Sequence, residues 1–374
     1  MVKSFKYRLR PTKKQEKILL AHIEQCCILY NQLLCERIQT WKKNKESLSR
    51  YDQQETLPML KKQYNPFSLV HSQVLQQVCQ RVDWAFKGFF RRLKDKSKTG
   101  EKAGFPRYKS ENRYDSITYP QFASSCRLDA KGLRLSKIGC IRVVQHRRLE
   151  GIPKSCTITR TATGKWFVSI SCDMGEKDKK LNAGSAVGID VGLTSFAVTS
   201  DGERIENQRF FRQEEKNLAK AQRKWDKVKK RPKTDFVKEK RRKAIGRVHE
   251  RIRNKRHNFA HQASRKMVNR HGFIAVEKLD VKDMQKNRRL AKSIADVAWS
   301  LFRHCLEYKA EEAGIGFKAV PPEYTSQDCS ACGHREKKPL SQRVHHCKAC
   351  GYKTDRDHNA AINILTLGLQ RQAD

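Results

Sequence analysis

Two Cys-x-x-Cys motifs near the C-terminal end restrict the local fold more strongly than any other part of this sequence. Cys329-x-x-Cys332 is followed, after a gap of 14 residues, by Cys347-x-x-Cys350. Each motif brings two thiolates onto one turn, and two such turns complete a tetrahedral four-thiolate site of the kind that holds structural Zn²⁺. The spacing therefore predicts a zinc finger whose ligands are these four cysteines.

The remaining cysteines argue against a disulfide framework. The chain has 13 cysteines, an odd number, and a reducing compartment fits this pattern better. Free surface thiols, or a site in which His345 or His346 replaces one cysteine, stand as alternatives to the four-cysteine site. Outside the motifs, Cys26, Cys27 and Cys172 have the apolar neighbours typical of small core residues.

The charge of the chain predicts a polyanionic partner. Lys and Arg number 80 against 39 Asp and Glu, a formal net charge of +41. The 16 Phe, 10 Tyr and 5 Trp exclude a chain that is disordered throughout. No stretch approaches the roughly 18 to 20 uncharged apolar residues of a membrane span, and the N-terminus MVKSFKYRLR lacks the apolar core of a signal peptide. We therefore expect a protein that is neither membrane-bound nor secreted by this route.

The N-terminal half combines a helical unit with short strands. Residues 3–10 alternate apolar and basic side chains, which predicts a strand with one buried face. Apolar residues recur every three or four positions across 13–45 and again across Val70–Leu93, which predicts two amphipathic helices. Short alternating segments over about 115–175 indicate an antiparallel β region. The strand at 3–10 should join that sheet, so the helical unit is an insertion within it.

The C-terminal half alternates strands and helices after a charged linker, EKDKKLNAGS, at 176–185. The segment VGIDVGLTSFAVTSDGERIEN predicts a meander of three strands. The elements predicted after it are helices at about 211–231 and 235–271, strand FIAVEKL, a helix at about 293–313, strand GIGFKAV and, beyond the cysteines, helix DHNAAINILTLGLQR. This order is RNase H-like, so we predict a multidomain α/β plus β protein.

Three acidic residues occupy positions that a metal-dependent nuclease would use. Asp190 lies within an apolar strand, Glu277 closes the apolar strand that begins at Phe273, and Asp357 begins the last helix. If the strands adjoin, three carboxylates converge at one end of the sheet, where they could bind Mg²⁺ for two-metal phosphodiester hydrolysis. Alternatively, each acid is an ordinary turn or helix cap, or G-I-D-V-G is the first phosphate loop of an actin-like ATPase. The ATPase alternative is weakened because no second Gly-rich motif follows.

Five segments together carry a family resemblance. They are FKYRLRPTKKQE, GIDVGLTSFAV, FIAVEKLDV, YTSQDCSACGH and HHCKACGYKTDRDHNAAINI. In this order they resemble the TnpB family, the transposon-encoded RNA-guided nucleases also known as OrfB-type transposases, which are related to the CRISPR type V effectors. The resemblance runs from the first strand to the last helix and so covers nearly the whole chain.

The resemblance implies an architecture and a catalytic set. The implied parts are a RuvC-like nuclease domain (179–324 and 353–374) interrupted by the zinc finger (325–352), and a β-barrel wedge domain (1–10 and 115–178) carrying a helical recognition insert (11–114). Carried over by motif, the catalytic carboxylates fall on Asp190, Glu277 and Asp357, with Mg²⁺ or Mn²⁺ as catalytic metal and Zn²⁺ as structural metal. Asp355 competes for the third position, but only Asp357 is separated by one residue from the Asn-Ala-Ala run.

Basic residues are concentrated in one stretch. Residues 216–270 contain 22 Lys or Arg and four acids, a density that favours contact with a nucleic-acid backbone over a solvated helix face of mixed charge. The helical unit offers glutamines and cations that could read a short duplex motif, or could be ordinary polar positions: Gln73, Gln76, Gln77, Lys61, Lys62 and Arg81. In GFPRYKS, Phe105 is expected to pack and Arg107 to contact phosphate.

The expected function follows from the resemblance. We expect an RNA-guided DNA endonuclease that binds a guide RNA from the transposon end and a double-stranded DNA target, as a monomer or dimer on one RNA, in the prokaryotic cytosol or nucleoid. The alternatives are a nuclease-silent RNA-guided regulator and a RuvC-like resolvase that needs no RNA.

Overall fold

The computed structural model of the protein describes residues 2–99, 103–111, 113–175, 184–232, 235–339 and 342–373. The chain forms two compact units, Met1–Lys177 and Asp178–Asp374. Most of the linker predicted at 176–185 lies outside the described residues.

The first unit contains a seven-stranded antiparallel sheet. Its strands are β1 (Val2–Arg10), β2 (Ser116–Tyr119), β3 (Cys126–Asp129), β4 (Gly132–Leu135), β5 (Gly139–Val144), β6 (Ile152–Arg160) and β7 (Trp166–Asp173). The order is β2-β6-β7-β1-β5-β4-β3, so the first strand joins this sheet, as predicted. It lies at the centre, where it pairs with β5 and β7. The sequence did not predict β3. No ladder joins β2 to β3 among the described residues, so closure into the expected barrel is not seen there.

The helices of the first unit lie between β1 and β2 in sequence. They are α1 (Lys13–Asn44), α2 (Arg50–Glu55), α3 (Leu57–Gln63) and α4 (Ser72–Thr99), with a short 3₁₀ turn at Asn65–Leu69. Thr12 and Gln15 form a reciprocal capping box that starts α1. The apolar faces of α1 and α4 share one core with the inward side chains of β1, which are Phe5, Tyr7 and Leu9.

Helix α1 is long and apolar enough to cross a membrane by length and composition alone. This differs from the expectation that no stretch of the sequence approaches a span. Half of its most apolar 18-residue window is buried, because side chains such as Leu19, Ile23 and Leu33 belong to the core of the first unit. A helix whose apolar side chains pack in a protein core meets the same criteria of length and composition.

The second unit is built on a mixed five-stranded sheet. Its strands are β8 (Ala186–Val191), β9 (Ser195–Thr199), β10 (Arg204–Glu206), β11 (Phe273–Glu277) and β12 (Gly316–Val320). They are ordered β10-β9-β8-β11-β12. The first three are antiparallel, as the meander predicted, and β11 is parallel to both β8 and β12. Val187 and Ile189 of β8 are buried in the hydrophobic core of this unit.

Six helices and a small hairpin complete the described part of this unit. They are α5 (Phe210–Asp226), α6 (Phe236–Arg270), α7 (Val281–Met284), α8 (Ala291–Val297), α9 (Trp299–Ala313), α10 (Arg356–Ala373) and the strands β13 (Val344–His346) and β14 (Lys353–Asp355). The single helix predicted at about 293–313 is wrong. Ala298 has a left-handed φ of 59°, which interrupts the α-helical hydrogen bonding and divides the segment into α8 and α9.

Candidate active site and metal centre

Asp190 and Glu277 lie at the same end of two neighbouring parallel strands. In the pairing of β8 with β11, Ile189 is opposite Val276. The next residue on each strand is an acid, so the two carboxylates stand side by side at the C-terminal ends of the strands. Asp190 is partly exposed and Glu277 is buried. The structure thus brings together the first two acids predicted from the sequence.

Asp357 joins this pair because α10 packs directly on β8. A Cβ atom on Gly188 would lie 2.1 Å from the carbonyl oxygen of Ala361, so a side chain at Gly188 would prevent the contact. Asp190 is two residues after Gly188 on the same face of the strand, and Asp357 is four residues before Ala361 on the same face of the helix. The close packing therefore carries Asp357 to the end of β8 where Asp190 lies.

The two neighbouring carboxylates change the pKa of Asp190. Burial raises the pKa of Asp190 well above its ordinary value, and the charges of Glu277 and Asp357 raise it further. Burial also raises the pKa of Glu277, against a hydrogen bond from Thr325 that lowers it. A hard divalent cation would relieve this repulsion, and carboxylate oxygens are the ligands that Mg²⁺ and Mn²⁺ prefer. The set of residues therefore fits such an ion.

Thr325 holds the carboxylate of Glu277, a contact that the sequence did not predict. The Thr325 hydroxyl donates a hydrogen bond of 2.5 Å to Glu277 Oε1, and both side chains are buried, with exposed fractions of 3% and 8%. Thr325 lies four residues before Cys329, in the segment YTSQDC. Its partner is 48 residues away, so no local spacing in the sequence relates the two.

Two asparagines fasten the finger to α10. Asn359, which is fully buried, donates from Nδ2 to the carbonyl of Asp328 at 2.8 Å and accepts from the Ser330 amide at 2.9 Å. Asn363 donates to the carbonyls of Asp328 and Thr325 at 2.8 and 2.9 Å. The segment that carries Cys329 is therefore hydrogen-bonded to the helix that carries Asp357.

Asp355, the competing third acid, is occupied elsewhere. Its Oδ1 accepts from the backbone amides of Asp357 and His358 at 3.0 and 3.1 Å, and its Oδ2 lies 2.8 Å from the Arg204 guanidinium. Burial opposes ionisation, but these donors together lower the pKa of Asp355. Its environment is that of a helix cap and ion pair. The choice of Asp357 as the third catalytic acid stays a prediction.

Arg343 of the finger lies near one of the three carboxylates, that of Asp357. One guanidinium nitrogen lies 3.9 Å from Asp357 Oδ1, and another donates to the Thr194 hydroxyl at 3.1 Å. Its carbonyl accepts from the Arg356 amide at 2.8 Å, which ties β13 to the start of α10. The side chain is 56% exposed. No feature of the sequence singled out this arginine among its many basic neighbours.

The two cysteine motifs form matching turns. In the first, the Gly333 amide donates to the Cys329 carbonyl and the Cys329 amide to the His334 carbonyl, at 2.8 and 3.0 Å. In the second, Gly351 and Tyr352 make the same contacts with Cys347, both at 2.9 Å. Both glycines have positive φ, 74° and 75°, which a glycine adopts at little cost. The turns present all four thiols to one centre.

The thiols have the spacing of a tetrahedral metal site. Their Sγ atoms all lie within 4.8 Å of one another, with Cys329 to Cys350 at 3.7 Å and Cys332 to Cys347 at 3.6 Å. Zn–S bonds of about 2.3 Å at tetrahedral angles require separations of about 3.8 Å. Among the described residues, neither His345 nor His346 belongs to this group. The cluster could therefore hold a metal ion such as zinc on four cysteines, as predicted.

The basic stretch forms an antiparallel pair of helices, α5 and α6. A few of its cations are internal: Arg251 and Lys255 pair with buried Glu214, and Arg256 pairs with buried Asp296. Many others are exposed and form no ion pair with described residues. These are Lys216, Lys220, Arg223, Lys224, Lys227, Lys230, Lys240, Arg247 and Arg253. Lys233 lies outside the described residues. The uncompensated charge favours binding to a polyanion.

Three of the predicted reading residues in the first unit serve internal contacts. Arg81 donates to the Ser116 carbonyl at 2.8 Å and to the Thr118 hydroxyl at 3.1 Å, which joins α4 to β2. The Gln73 amide donates to Gln121, and the Lys61 ammonium group donates to the Ser72 hydroxyl at 2.7 Å. All three side chains therefore have partners within the unit.

In the GFPRYKS segment, the predicted packing of Phe105 is seen. Phe105 packs edge-to-face on Phe86 and Phe89, with ring centroids at 5.7 and 5.1 Å. Arg107 is exposed, and so are Gln76 and Lys62 on the helices. Their contact with nucleic acid stays a prediction.

Three family models match the chain. The OrfB_IS605 model described as "Probable transposase" matches residues 169–288, "Cas12f1-like, TNB domain" matches 299–364, and an OrfB_IS605 "Helix-turn-helix domain" matches 1–46. In this last range the structure has a strand followed by one long helix, α1.

Similar proteins cover almost all of the chain. A "Putative RNA-guided DNA endonuclease" of Streptomyces pristinaespiralis is 33% identical over 99% of this chain and 90% of its own length. "Putative RNA-guided DNA endonuclease InsQ" of Escherichia coli K12 is 30% identical over 98% of this chain and 92% of its own. Among solved structures, a Cas12f1–sgRNA–target DNA complex matches with a TM-score of 0.57 at 16% identity, covering 94% of this chain and 83% of that one. This likeness shows a multidomain fold of the Cas12f kind.

Proposed function

The chain belongs to the TnpB family of OrfB/IS605-type proteins, and from this premise we propose that it is an RNA-guided DNA endonuclease of transposon origin. The observation that carries the proposal is the meeting of Asp190, Glu277 and Asp357 at one end of the mixed sheet. Relatives named as RNA-guided endonucleases support the substrate class. Guide RNA pairing selects the target sequence, and the protein reads a short flanking motif and the backbone.

The proposed domains follow the family pattern. The mixed sheet with α5 to α10 is the RuvC-like nuclease domain, interrupted by the zinc finger, and the seven-stranded sheet with its helical insert is the wedge domain with a recognition insert. The strand order of the mixed sheet supports the first assignment. The central position of β1 beside β5 and β7 supports the second.

In the proposed reaction, Asp190, Glu277 and Asp357 would hold the divalent ions, and Thr325 fixes the orientation of the Glu277 carboxylate. When bound, two Mg²⁺ ions would activate water and stabilise charge on the phosphodiester. The water oxygen bonds to phosphorus while the bond from phosphorus to the 3′ oxygen breaks. The water gives up a proton and the 3′ oxygen takes one up, so the products carry a 3′ hydroxyl and a 5′ phosphate. Zn²⁺ on the four cysteines has a structural role, because no coordination position is open.

The basic helices α5 and α6 have a complementary role. Their exposed, uncompensated cations bind the phosphates of the guide–target duplex, which predicts a steep dependence of binding on salt. Arg81 supports the fold of the recognition insert. The reading of the flanking motif falls instead to exposed positions such as Gln76 and Lys62.

The test is cleavage by the purified RNA–protein complex. A plasmid library carries a guide-matched target beside randomised flanks, and wild type is compared with Asp190→Ala in Mg²⁺. Cleavage by wild type alone, dependent on RNA and on one flanking motif, is expected. Target binding without cleavage in both proteins would support an RNA-guided regulator, and cleavage that survives RNase treatment would support a resolvase.

A further inference from the structure

Three histidines lie on the surface where α6 packs against α9. His257 and His261 are four residues apart on α6, and His304 is on α9. All three side chains are exposed, and the rings of His257 and His261 have centroids 6.4 Å apart. None of these histidines has a role in the proposed reaction or among the four cysteines.

Helices α6 and α9 run side by side in the same direction. The Tyr308 hydroxyl of α9 lies 3.3 Å from Nδ1 of His261 on α6. About one turn later on both helices, the Arg265 guanidinium pairs with Glu312 at 3.3 Å. The members of both pairs are separated by 47 residues in the sequence, so matching positions recur with each turn of the two helices.

This register brings His304 beside His257. His257 precedes His261 by four residues, and His304 precedes Tyr308 by four. These two histidines therefore form the next matching pair toward the N-terminal ends of the helices. The ring of His304 also lies beside that of Tyr308, with centroids 5.7 Å apart. Three imidazoles from two helices thus share one patch of surface.

Contacts with α9 fix the orientation of His261. Its Nδ1 lies beside the Tyr308 hydroxyl and 3.8 Å from the buried Cys305 thiol. The His261 carbonyl accepts a hydrogen bond of 2.7 Å from buried Lys309, whose ammonium group also donates to Ser264. A histidine that binds a metal through one nitrogen almost always has its other nitrogen held by a hydrogen-bond partner. Nε2 of His261 is therefore the nitrogen that suits a metal ion.

The spacing of His257 and His261 is that of a chelating pair. Two histidines four residues apart on one helix supply both imidazole ligands in the zinc sites of H-E-x-x-H proteins. A third imidazole from α9 completes a set of three nitrogen ligands. In the described part of the chain, the four cysteines are the group of three or more ligands whose atoms all lie within 4.8 Å of one another. The histidines therefore reach one ion by rotation of their exposed side chains, which is a fast motion.

We infer that His257, His261 and His304 form a further metal site, which binds a divalent transition-metal ion and bridges α6 to α9. Neutral imidazole nitrogens favour Zn²⁺, Ni²⁺ and Cu²⁺, whereas Mg²⁺ prefers oxygen ligands. The bound ion joins the basic helix α6 to α9. It stabilises the folded protein, because the unfolded chain does not hold three imidazoles together. The inference does not depend on the proposed function.

The test is a titration of untagged, zinc-loaded protein with Ni²⁺, followed by isothermal titration calorimetry at about pH 8, where imidazole is ordinarily neutral. Wild type should bind Ni²⁺ with one-to-one stoichiometry and keep its zinc. His257→Gln and His304→Gln should each weaken the Ni²⁺ affinity by at least about 10- to 100-fold, since losing even an outer partner of a metal ligand has an effect of this size. Excess Mg²⁺ should not displace the Ni²⁺.

His249→Gln is the matched control, because His249 is another exposed histidine on α6. This variant should bind Ni²⁺ as wild type does. Without Ni²⁺, the melting temperatures of His249→Gln, His257→Gln and His304→Gln should match that of wild type, since all three side chains are exposed. Saturating Ni²⁺ should raise the melting temperature of wild type and of His249→Gln.

An Ni²⁺ affinity in His257→Gln and His304→Gln equal to that of wild type would overturn the inference. An effect of His257→Gln without an effect of His304→Gln would overturn the bridge, because the ion would then be held by α6 alone. Release of zinc in step with the uptake of Ni²⁺ would place the ion at the cysteines and would also overturn the inference.

Discussion

Replacing Thr325 by valine should weaken the binding of the divalent metal without unfolding the protein. The substitution keeps the side-chain volume and removes the donor of the 2.5 Å hydrogen bond to Glu277. A buried hydrogen bond to a charged group contributes about 1.5 to 3 kcal/mol. Because about 1.4 kcal/mol corresponds to a tenfold change, metal affinity should fall by about 10- to 150-fold. This agrees with the loss of about 10- to 100-fold that is typical when the partner of a metal ligand is removed.

The effect should also depend on pH. The Thr325 hydroxyl lowers the pKa of Glu277 against the effect of burial, so its loss raises that pKa further. Metal binding needs the ionised carboxylate, and therefore the acidic limb of the metal-binding profile should move to higher pH in Thr325→Val. We would measure Mn²⁺ binding to zinc-loaded protein by electron paramagnetic resonance at a series of pH values. The titrations give the Mn²⁺ affinity and the pH at which binding is lost on the acidic side.

Two matched variants show whether the hydroxyl itself is responsible. Thr325→Ser keeps the donor and should retain affinity within about threefold, since only a methyl group is lost. Thr366→Val makes the same chemical change at an exposed position on α10 and should behave as wild type. Equal Mn²⁺ affinity and an unmoved acidic limb in Thr325→Val would refute the positioning role. Loss of zinc from Thr325→Val would indicate that Thr325 stabilises the zinc finger and does not position Glu277.

Asp355→Ala should lower the free energy of unfolding by about 1 kcal/mol in urea titrations, because it removes a helix cap and the ion-pair partner of Arg204. RNA-guided cleavage should persist in Asp355→Ala, whereas Asp357→Ala should abolish cleavage. Asp190→Asn should raise the melting temperature of Mg²⁺-free protein at pH 7. Because the pKa of Asp190 is raised, the folded protein keeps a proton on this carboxyl that the unfolded chain has already released. The stability of wild type therefore falls as pH rises from about 3.9, the ordinary pKa of Asp, through the raised pKa. Scanning calorimetry should not find this loss of stability in the variant. Cys347→Ser should contain no bound zinc when it is measured by native mass spectrometry. Its melting temperature should be lower by roughly 5 °C or more, because metal binding contributes directly to the folding free energy.

Local patterns in the sequence predicted most elements and the metal centre. The Cys-x-x-Cys spacing places two thiols on one turn wherever the turn lies, so the motifs alone predicted the cluster. Apolar periodicity predicted β8, β11 and α10 because each element buries a face of its own sequence. The same reasoning failed at Ala298, since a run of good helix-formers carries no signal for the left-handed residue that divides α8 from α9.

Contacts between distant residues were decided only by the tertiary structure. The sequence contains Asp190, Glu277 and Asp357, but their meeting depends on the parallel register of β8 with β11 and on the close packing at Gly188. Nothing in the order of residues relates Thr325 to Glu277 or Arg343 to Asp357, because these contacts join segments that only the fold brings together. Residue chemistry and short-range spacing thus determined which groups are available, and long-range packing determined which of them act on one another.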